Sequence, residues 1–455
     1  QTLSDTEVIL YYYNLYKDKC FGLFEGMWSI VIYDTKKEKI IVSRDRFGEK
    51  PLLFFKKNDE IILSSQISYI NEILDINQRF NSKKINSFLH FGYKSLFKND
   101  ETFFNNINHV EKSSVLTIEK TLKVYKKKYW KLKTDKEIEK LSLKEHISNT
   151  KKLLINAVDL RLVSDVPISL NLSGGIDSGA ICSIATKVLG KKLETFSIVD
   201  RDSRYDESTL IQATAKDCRV KTNLIRLNKK IDFLDILKKS TEYNHYPIFT
   251  ITDLIQNHLF SIIKKKGFKV SLSGAGADEI YGGYYDHYLM VFNELRTFDR
   301  VQLKKYINIW KTNIKPSIRN KYFAKHDLFF KDSSFRKYVY DNYSNNKNYC
   351  INKLSYIFQE KKYFKSLLKN RMANELFHET VPIFTHREDL NAMQFSIENR
   401  APFLDTNLIE YLFSIKGTHL LNDCQNKSIL RASLKGILNE QVLNQKTKLG
   451  FNASI

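Results

Sequence analysis

The chain has 455 residues, 42% hydrophobic and 13% aromatic, with a formal net charge of +22. That length exceeds one ordinary domain and favours two, and the apolar content supports real cores and excludes a disordered chain. No run of eighteen apolar residues is present, so no membrane span is expected. The start, Gln1-Thr2-Leu3-Ser4-Asp5, has neither a basic segment nor an apolar one, so it does not read as a signal peptide. It also lacks Met, and the sequence is expected to be a piece whose start lies upstream. The lysines are spread among Ile, Asn and Tyr, in runs such as Lys126-Lys127-Lys128 and Lys264-Lys265-Lys266. No RNA-binding motif accompanies them, so they read as solvated faces, and no nucleic-acid partner is expected. Five scattered cysteines without a C-x-x-C pair read as reduced structural thiols in a cytoplasmic protein.

In chain order, residues 1–130 read as mostly β with one early helix. Asp5 sits at a helix-cap position before an amphipathic run to Tyr16. Short β-rich runs follow at Trp28–Tyr33, Lys39–Ser43, Pro51–Phe55, Glu60–Ser64 and Ser114–Ile118, with a turn at Asp45-Arg46-Phe47-Gly48. The charged stretch Lys131–Lys140 is a domain boundary, giving units 1–130 and 140–455. Beyond it, helices are expected at Leu143–Leu162, Gly179–Leu189, 206–217, 231–243 and 250–266. Strands are expected at Pro167–Leu172, Thr195–Val199, Asn223–Leu227 and Lys269–Leu272. Strands alternating with helices define a parallel, doubly wound α/β sheet, whose ligands sit beyond the carboxyl ends of the strands. From about Tyr288 the chain reads as mostly helical.

Two loops carry the chemistry. The first is Leu170-Asn171-Leu172-Ser173-Gly174-Gly175-Ile176-Asp177-Ser178, an apolar strand ending in a glycine turn that opens a helix. Adjacent glycines let the backbone approach an anion, and the free N–H groups of the turn and helix converge on it. Ser173 and Ser178 add hydroxyl donors. Asp177 would repel phosphate without an intervening cation, which implies Mg2+. The second loop, Ser273-Gly274-Ala275-Gly276-Ala277-Asp278-Glu279, follows another apolar strand. Asp278 alone would pass for a helix cap. Paired with the first loop, it is expected to share the Mg2+ with Asp177 while the loops grip ATP from both sides.

With these residues in place, the chain resembles the glutamine-hydrolysing asparagine synthetases and their amidotransferase relatives. Ser173-Gly174-Gly175-Ile176-Asp177-Ser178 is similar to the PP-loop of ATP pyrophosphatases, the adenine nucleotide α-hydrolase-like fold. Ser164-Asp165-Val166-Pro167, the second loop, Glu398-Asn399-Arg400-Ala401-Pro402-Phe403-Leu404-Asp405 and Lys446-Thr447-Lys448-Leu449-Gly450-Phe451 narrow it to this family. Ser4–Ile9, Arg44–Leu52 and Thr102-Phe103-Phe104 resemble the back half of the family's class II, Ntn-type glutaminase domain. The resemblance implies a mostly-β glutaminase part, truncated here, ahead of a PP-loop sheet with a helical C-terminal part. It implies glutamine hydrolysis in one domain and passage of ammonia to the other. There a carboxylate, L-aspartate first, is activated by ATP as an acyl-adenylate with release of pyrophosphate, and ammonia gives the amide. On the same grounds Leu172, Ser173, Gly174, Gly175, Asp177, Ser178, Ile198, Ser273 and Gly274 bind ATP and pyrophosphate. Lys448 stabilises the transition states, Asp5 reads glutamine, and a homodimer is an expected assembly. Ile198 also reads as a sheet-core residue.

The pattern departs in three places. The family's nucleophile is an N-terminal cysteine, whereas position 1 is Gln1 and the preceding strands are not in the sequence, so the chain as given is expected to use only free ammonia. Ala275 stands where the family usually has a glutamate that handles ammonia. That opens the alternative of amidating a uronic acid of a surface polysaccharide. Gln66 replaces a usual glutamate and is expected to matter only at the domain interface. Glu398, Arg400, Asp405, Arg387 and Asp389 read equally as structural ion pairs or functional groups, and Tyr284 as a cap on the second loop. A PP-loop tRNA-modifying enzyme would carry catalytic cysteines or an RNA-binding appendage. A non-catalytic relative would not need Asp177, Asp278 and Lys448 together.

Overall fold

The computed structural model describes residues 4–57, 59–74, 79–228, 231–340 and 360–445. The first part opens with the helix Asp5–Tyr16, capped by the Ser4 side chain accepting from the Thr6 N–H at 3.2 Å, so Asp5 is the first helical residue rather than the cap. Strands β1 (Ser29–Asp34), β2 (Lys39–Arg44), β3 (Leu53–Lys57), β4 (Glu60–Ser64), β5 (Ile107–His109), β6 (Ser114–Glu119) and β7 (Val124–Lys128) follow. They form two antiparallel sheets, ordered β1-β2-β6-β7 and β4-β3-β5. The expectation of a single helix in this part is corrected, because Ile67–Leu74 and Ser82–Phe91 are also helical. Ile67 and Ile70 bury one face of the former, and Asn81 caps the latter by accepting from the Lys84 N–H. The run Lys126-Lys127-Lys128 lies on the edge strand β7 and pairs with Glu111 and Asp18 at 2.8–2.9 Å. Charge on an edge discourages pairing with another strand.

The Arg44–Lys50 turn is held from within. The Asp45 carboxylate accepts from the N–H groups of Phe47, Glu49 and Lys50 at 2.9–3.0 Å. Arg44 donates to the carbonyls of Gly48, Lys50 and Val110. These buried charges therefore satisfy backbone groups that would otherwise be orphaned.

The second part contains strands β8 (Ile168–Asn171), β9 (Glu194–Val199), β10 (Lys221–Arg226), β11 (Val270–Leu272) and β12 (Glu398–Arg400), all parallel, in the order β10-β9-β8-β11-β12. The four expected strands are present within two or three residues. β12 is an addition, since that stretch was read as helical. It joins the edge because Arg400 donates to the carbonyls of Arg161 and Val163 and pairs with Glu398 at 2.6 Å. The helix after the first glycine turn starts at Ile176, not Gly179, and closes in a π-helical turn over Ile184–Val188. Numbering runs outward in both directions from β8 and β11. This pair is the topological switch point, where a crevice opens beyond the strand ends.

Helices Leu143–Arg161, Ser208–Cys218, Ile251–Lys265, Tyr285–Phe298, Leu367–His378 and Thr406–Ser414 pack around the sheet and bury one large apolar core. Cys20, Cys182, Cys218 and Cys424 are buried free thiols. Among the described residues no helix is long and apolar enough to cross a membrane.

Charged side chains join the two parts. Lys50 pairs with Asp389 at 2.8 Å, Lys98 with Glu379 at 2.6 Å, and Glu25 with Arg161 at 3.0 Å. Gln66 donates to the Tyr243 hydroxyl at 2.7 Å, an interface contact. Behind Glu379 lies Arg371, fully buried and ion-paired with Asp286, Glu360, Glu375 and Glu379. Asp286, His287 and Glu375 are close enough to hold a metal ion, but the guanidinium already supplies the cation among them. Burial alone would raise Glu379; Arg371 and Lys98 outweigh it and hold the carboxyl at about 2, below its ordinary 4.5. Burial pulls Lys98 down to about 8, so both partners are charged at neutral pH.

A carboxyl depressed on folding contributes stability above its unfolded value and loses it as pH falls through the folded one. Lys98→Met is therefore expected to lower the Tm at pH 7, with a stability loss below the roughly 3–5 kcal/mol of an unpaired buried charge because Arg371 remains. The Tm difference from wild type should shrink as the pH falls from about 4.5 toward 2. Thermal melts of both proteins across that range check this.

Candidate active site

The loops leaving β8 and β11 emerge side by side because these strands are paired in register, Ile168 opposite Val270 and Leu170 opposite Leu272. They form one wall of a cavity of about 480 Å³. Close approach of the loops is a backbone matter. At Gly274, a Cβ would sit 3.0 Å from the Cβ of Asp177, tighter than ordinary contact. At Gly283 a Cβ would overlap the Asp278 carboxylate and also press on Lys427.

Asp177 lies in the first turn of the helix Ile176–Ser183, and Asp278 in the first turn of the helix Ala277–Tyr281. Both carboxylates face one cation. The Lys427 Nζ lies 2.7 Å from Asp177 Oδ1 and 2.8 Å from Asp278 Oδ1. Lys427 is buried and takes a left-handed backbone conformation (φ 53°, ψ 33°) just ahead of the helix Ser428–Ser433. A lysine seldom adopts that conformation, and such strain persists where the surroundings impose it. Burial alone would lower its pKa; Asp177 and Asp278 outweigh it and lift the ammonium above the usual lysine range. Arg431, one helical turn further, also lines the cavity and is anchored by the carbonyls of Asn426 and Leu443.

The first loop is tied internally. Ser178 Oγ accepts from the Ser173 N–H at 3.0 Å, and Ser173 Oγ accepts from the Gly175 N–H at 3.2 Å. The Gly174 N–H donates to Glu207 Oε2 at 3.0 Å. A carboxylate thus holds an amide of the kind that binds phosphate. Burial raises the Glu207 pKa, and the Gly174 bond opposes that rise. In the second loop the Tyr284 hydroxyl donates to Glu279 Oε1 at 2.5 Å. Burial and the neighbouring Asp278 charge push Glu279 up to about 7. Tyr284 thus does tie down this loop, and it also lines the cavity.

Of the residues singled out from sequence, Ser173, Gly174, Gly175, Asp177, Ser178, Ser273, Gly274 and Asp278 line the cavity together. Leu172 does not; it is buried in the core beneath the loop. Ile198 does not either; it packs with the cluster that includes Phe196 and Phe260. Asp5 is exposed on the first helix. Lys448 lies outside the described residues. Arg387 pairs with Asp253 at 2.9 Å at the cavity wall, whereas Asp389, Arg400 and Asp405 are spent on Lys50, Glu398 and Arg161. Lys427, Arg431 and Glu207 were missed. The signal that could have found Lys427 is a lysine just before a short helix near the C-terminus, a pattern common enough to carry no weight.

A parallel sheet with paired Ser/Gly loops and carboxylates at its switch point, behind a mostly-β part, defines a PP-loop ATP-dependent synthetase carrying a glutaminase-type domain. Comparison with known proteins agrees. Residues 149–455 match the asparagine synthase family model, and residues 1–130 match the glutamine amidotransferase domain. The chain belongs to the asparagine synthase family. It is 28% identical to "Asparagine synthetase [glutamine-hydrolyzing] 3" of Bacillus subtilis, over 97% of this chain and 70% of that protein. It is 30% identical to a putative asparagine synthetase of Methanocaldococcus jannaschii, over 78% of this chain and 71% of the relative. It is 22% identical to "Amidase chry2" of Gibberella zeae, over 98% and 72%.

Gly283→Ala is expected to drive the Asp278 carboxylate out of its contact with Lys427. ATP affinity by titration calorimetry should fall at least tenfold while the far-UV circular dichroism is retained. Wild-type affinity in this variant would show that the placement of Asp278 is not needed for the nucleotide.

Proposed function

We propose that the second part, residues 140–455, activates a small carboxylate with ATP as an acyl-adenylate, releases pyrophosphate, and amidates the product with ammonia. L-Aspartate is the first choice of acceptor, giving asparagine and AMP. The observation that carries this reading is the convergence of Asp177 and Asp278, from neighbouring strands, on one buried cation inside a cavity lined by Ser/Gly loops.

A carboxylate is a poor electrophile, and adenylation supplies a good leaving group. In the first step a carboxylate oxygen attacks the α-phosphorus and the bond to pyrophosphate breaks. The protein's part is positioning and charge neutralisation. The Ser173 and Ser178 hydroxyls and the glycine-turn amides would hold the pyrophosphate, with Glu207 giving up the Gly174 N–H as phosphate arrives. Lys427 and Arg431 offset the phosphate charge, and Lys448 is assigned to the α-phosphate. The donors fit Mg2+, since two hard carboxylate oxygens already converge on one cation position and phosphate oxygens would complete the set. Held by Asp177 and Asp278, Mg2+ would supply Lewis-acid neutralisation of the phosphate charge. In a protein that carries the family's nucleophilic cysteine upstream of Gln1, the domain to which residues 1–130 belong would supply ammonia from glutamine, with Asp5 reading the glutamine amino group. We place the reaction in the cytoplasm.

The second reading, amidation of a uronic acid, is favoured by Ala275, whose methyl lines the cavity where the family usually has a glutamate. Pyrophosphate release from Mg·ATP and ammonium chloride decides between them. Release with L-aspartate but not with glucuronate or galacturonate supports asparagine synthesis, and the reverse pattern supports the second reading. Release with neither, under any condition, would defeat the proposal. Asp177→Ala is expected to lower release by about 100-fold or more.

A further inference from the structure

One wall of the cavity carries none of the groups assigned above to phosphate. It is built by Phe384, Arg387 and Glu388, from the helix Thr380–Met393, facing the second loop. Arg387 is neutralised by Asp253. Among the described residues no cation pairs with Glu388. Its Oε2 accepts from Ser273 Oγ at 2.7 Å and from Asn399 Nδ2 at 2.8 Å, and none of the described groups bonds its Oε1. The carboxylate is therefore anchored by one oxygen to the loop and presents the other to the cavity. Ala275 lies two residues beyond Ser273 on that loop and lines the same space with a methyl group, which cannot accept a proton.

We propose that Glu388 is the carboxylate that receives the incoming amine and takes its proton during amide formation. This rests on the acyl-adenylate reading above. Ammonia attacking the acyl carbon forms a C–N bond and a tetrahedral centre whose nitrogen carries an extra proton. Collapse of that centre breaks the C–O bond to AMP, which leaves with the bonding pair. The nitrogen proton passes to Glu388 Oε1 and then to water. A carboxylate near an arriving ammonium also holds it in a partly desolvated site, where charge attraction is stronger than in bulk water. The hydrogen bonds from Ser273 and Asn399 fix its orientation, which general-base action requires. β12, which carries Asn399, and β11, which leads into Ser273, are neighbours in the sheet, so the base is held by the same strand ends that build the nucleotide site.

The test separates the two half-reactions in the full chain. Acceptor-dependent exchange of labelled pyrophosphate into ATP reports activation, and amide formation from ammonium chloride reports the second step. L-Aspartate and glucuronate serve as acceptors. Glu388→Gln preserves shape and is expected to keep exchange within about threefold while amide formation falls by about 100-fold. Glu388→Ala should behave alike, and adding Ala275→Glu to Glu388→Ala should restore part of the amide formation. Amide formation near wild type in Glu388→Gln would overturn the proposal. So would exchange lost in step with amide formation, because that marks a residue that holds Ser273 or reads the acceptor's own ammonium group. Wild-type chain with no exchange on either acceptor would remove the parent reading and this proposal with it, an outcome distinct from the other two.

Discussion

The in-register pairing of β8 with β11 is the constraint on which the site depends. Two strands separated by about a hundred residues of chain become neighbours, and each ends in a turn of small residues followed by an aspartate. Parallel pairing sends both turns out of the same edge of the sheet. The aspartates then lie near enough to repel one another, and the Lys427 ammonium between them removes that cost. Breaking either carboxylate contact would leave a buried charge under-compensated. The cavity wall thus carries an acidic pair bridged by an ammonium rather than a bare one.

The same electrostatic logic recurs at the join between the two parts. Arg371 is enclosed by carboxylates, one of which reaches on to Lys98 across the join. Lys50 crosses to Asp389, the residue next to Glu388. The glutaminase-type part is thereby fastened to the helix Thr380–Met393, which lines one wall of the cavity.

Much of the fold was legible. The strands of the parallel sheet and the helices between them carry clear apolar runs and glycine or cap punctuation, and their boundaries fell within a few residues. What was misread has a common cause. The helices at Ile67–Leu74 and Ser82–Phe91 have only 8 and 10 residues, too short a run to stand out from the strands around them. β12 spans only three residues of a charged motif and exists because an open edge of β11 accepts it. Leu172 is buried beneath the first loop, and Ile198 is partly buried against the cluster of Phe196 and Phe260.

Residues 173–178 and 273–278 by themselves determined that a turn of small residues followed by an aspartate stands at each of two strand ends, because each follows an apolar run and opens a helix. The family membership was likewise readable from motifs spread along the whole chain. Only the tertiary structure decided which side chains complete the site. Lys427, Arg431, Glu207 and Glu388 carry no local pattern, and each is an ordinary charged residue until folding places it in the cavity. The physical reason is that backbone geometry is written in short-range residue order, whereas charge compensation in a buried site is settled by whichever side chains long-range packing brings within reach.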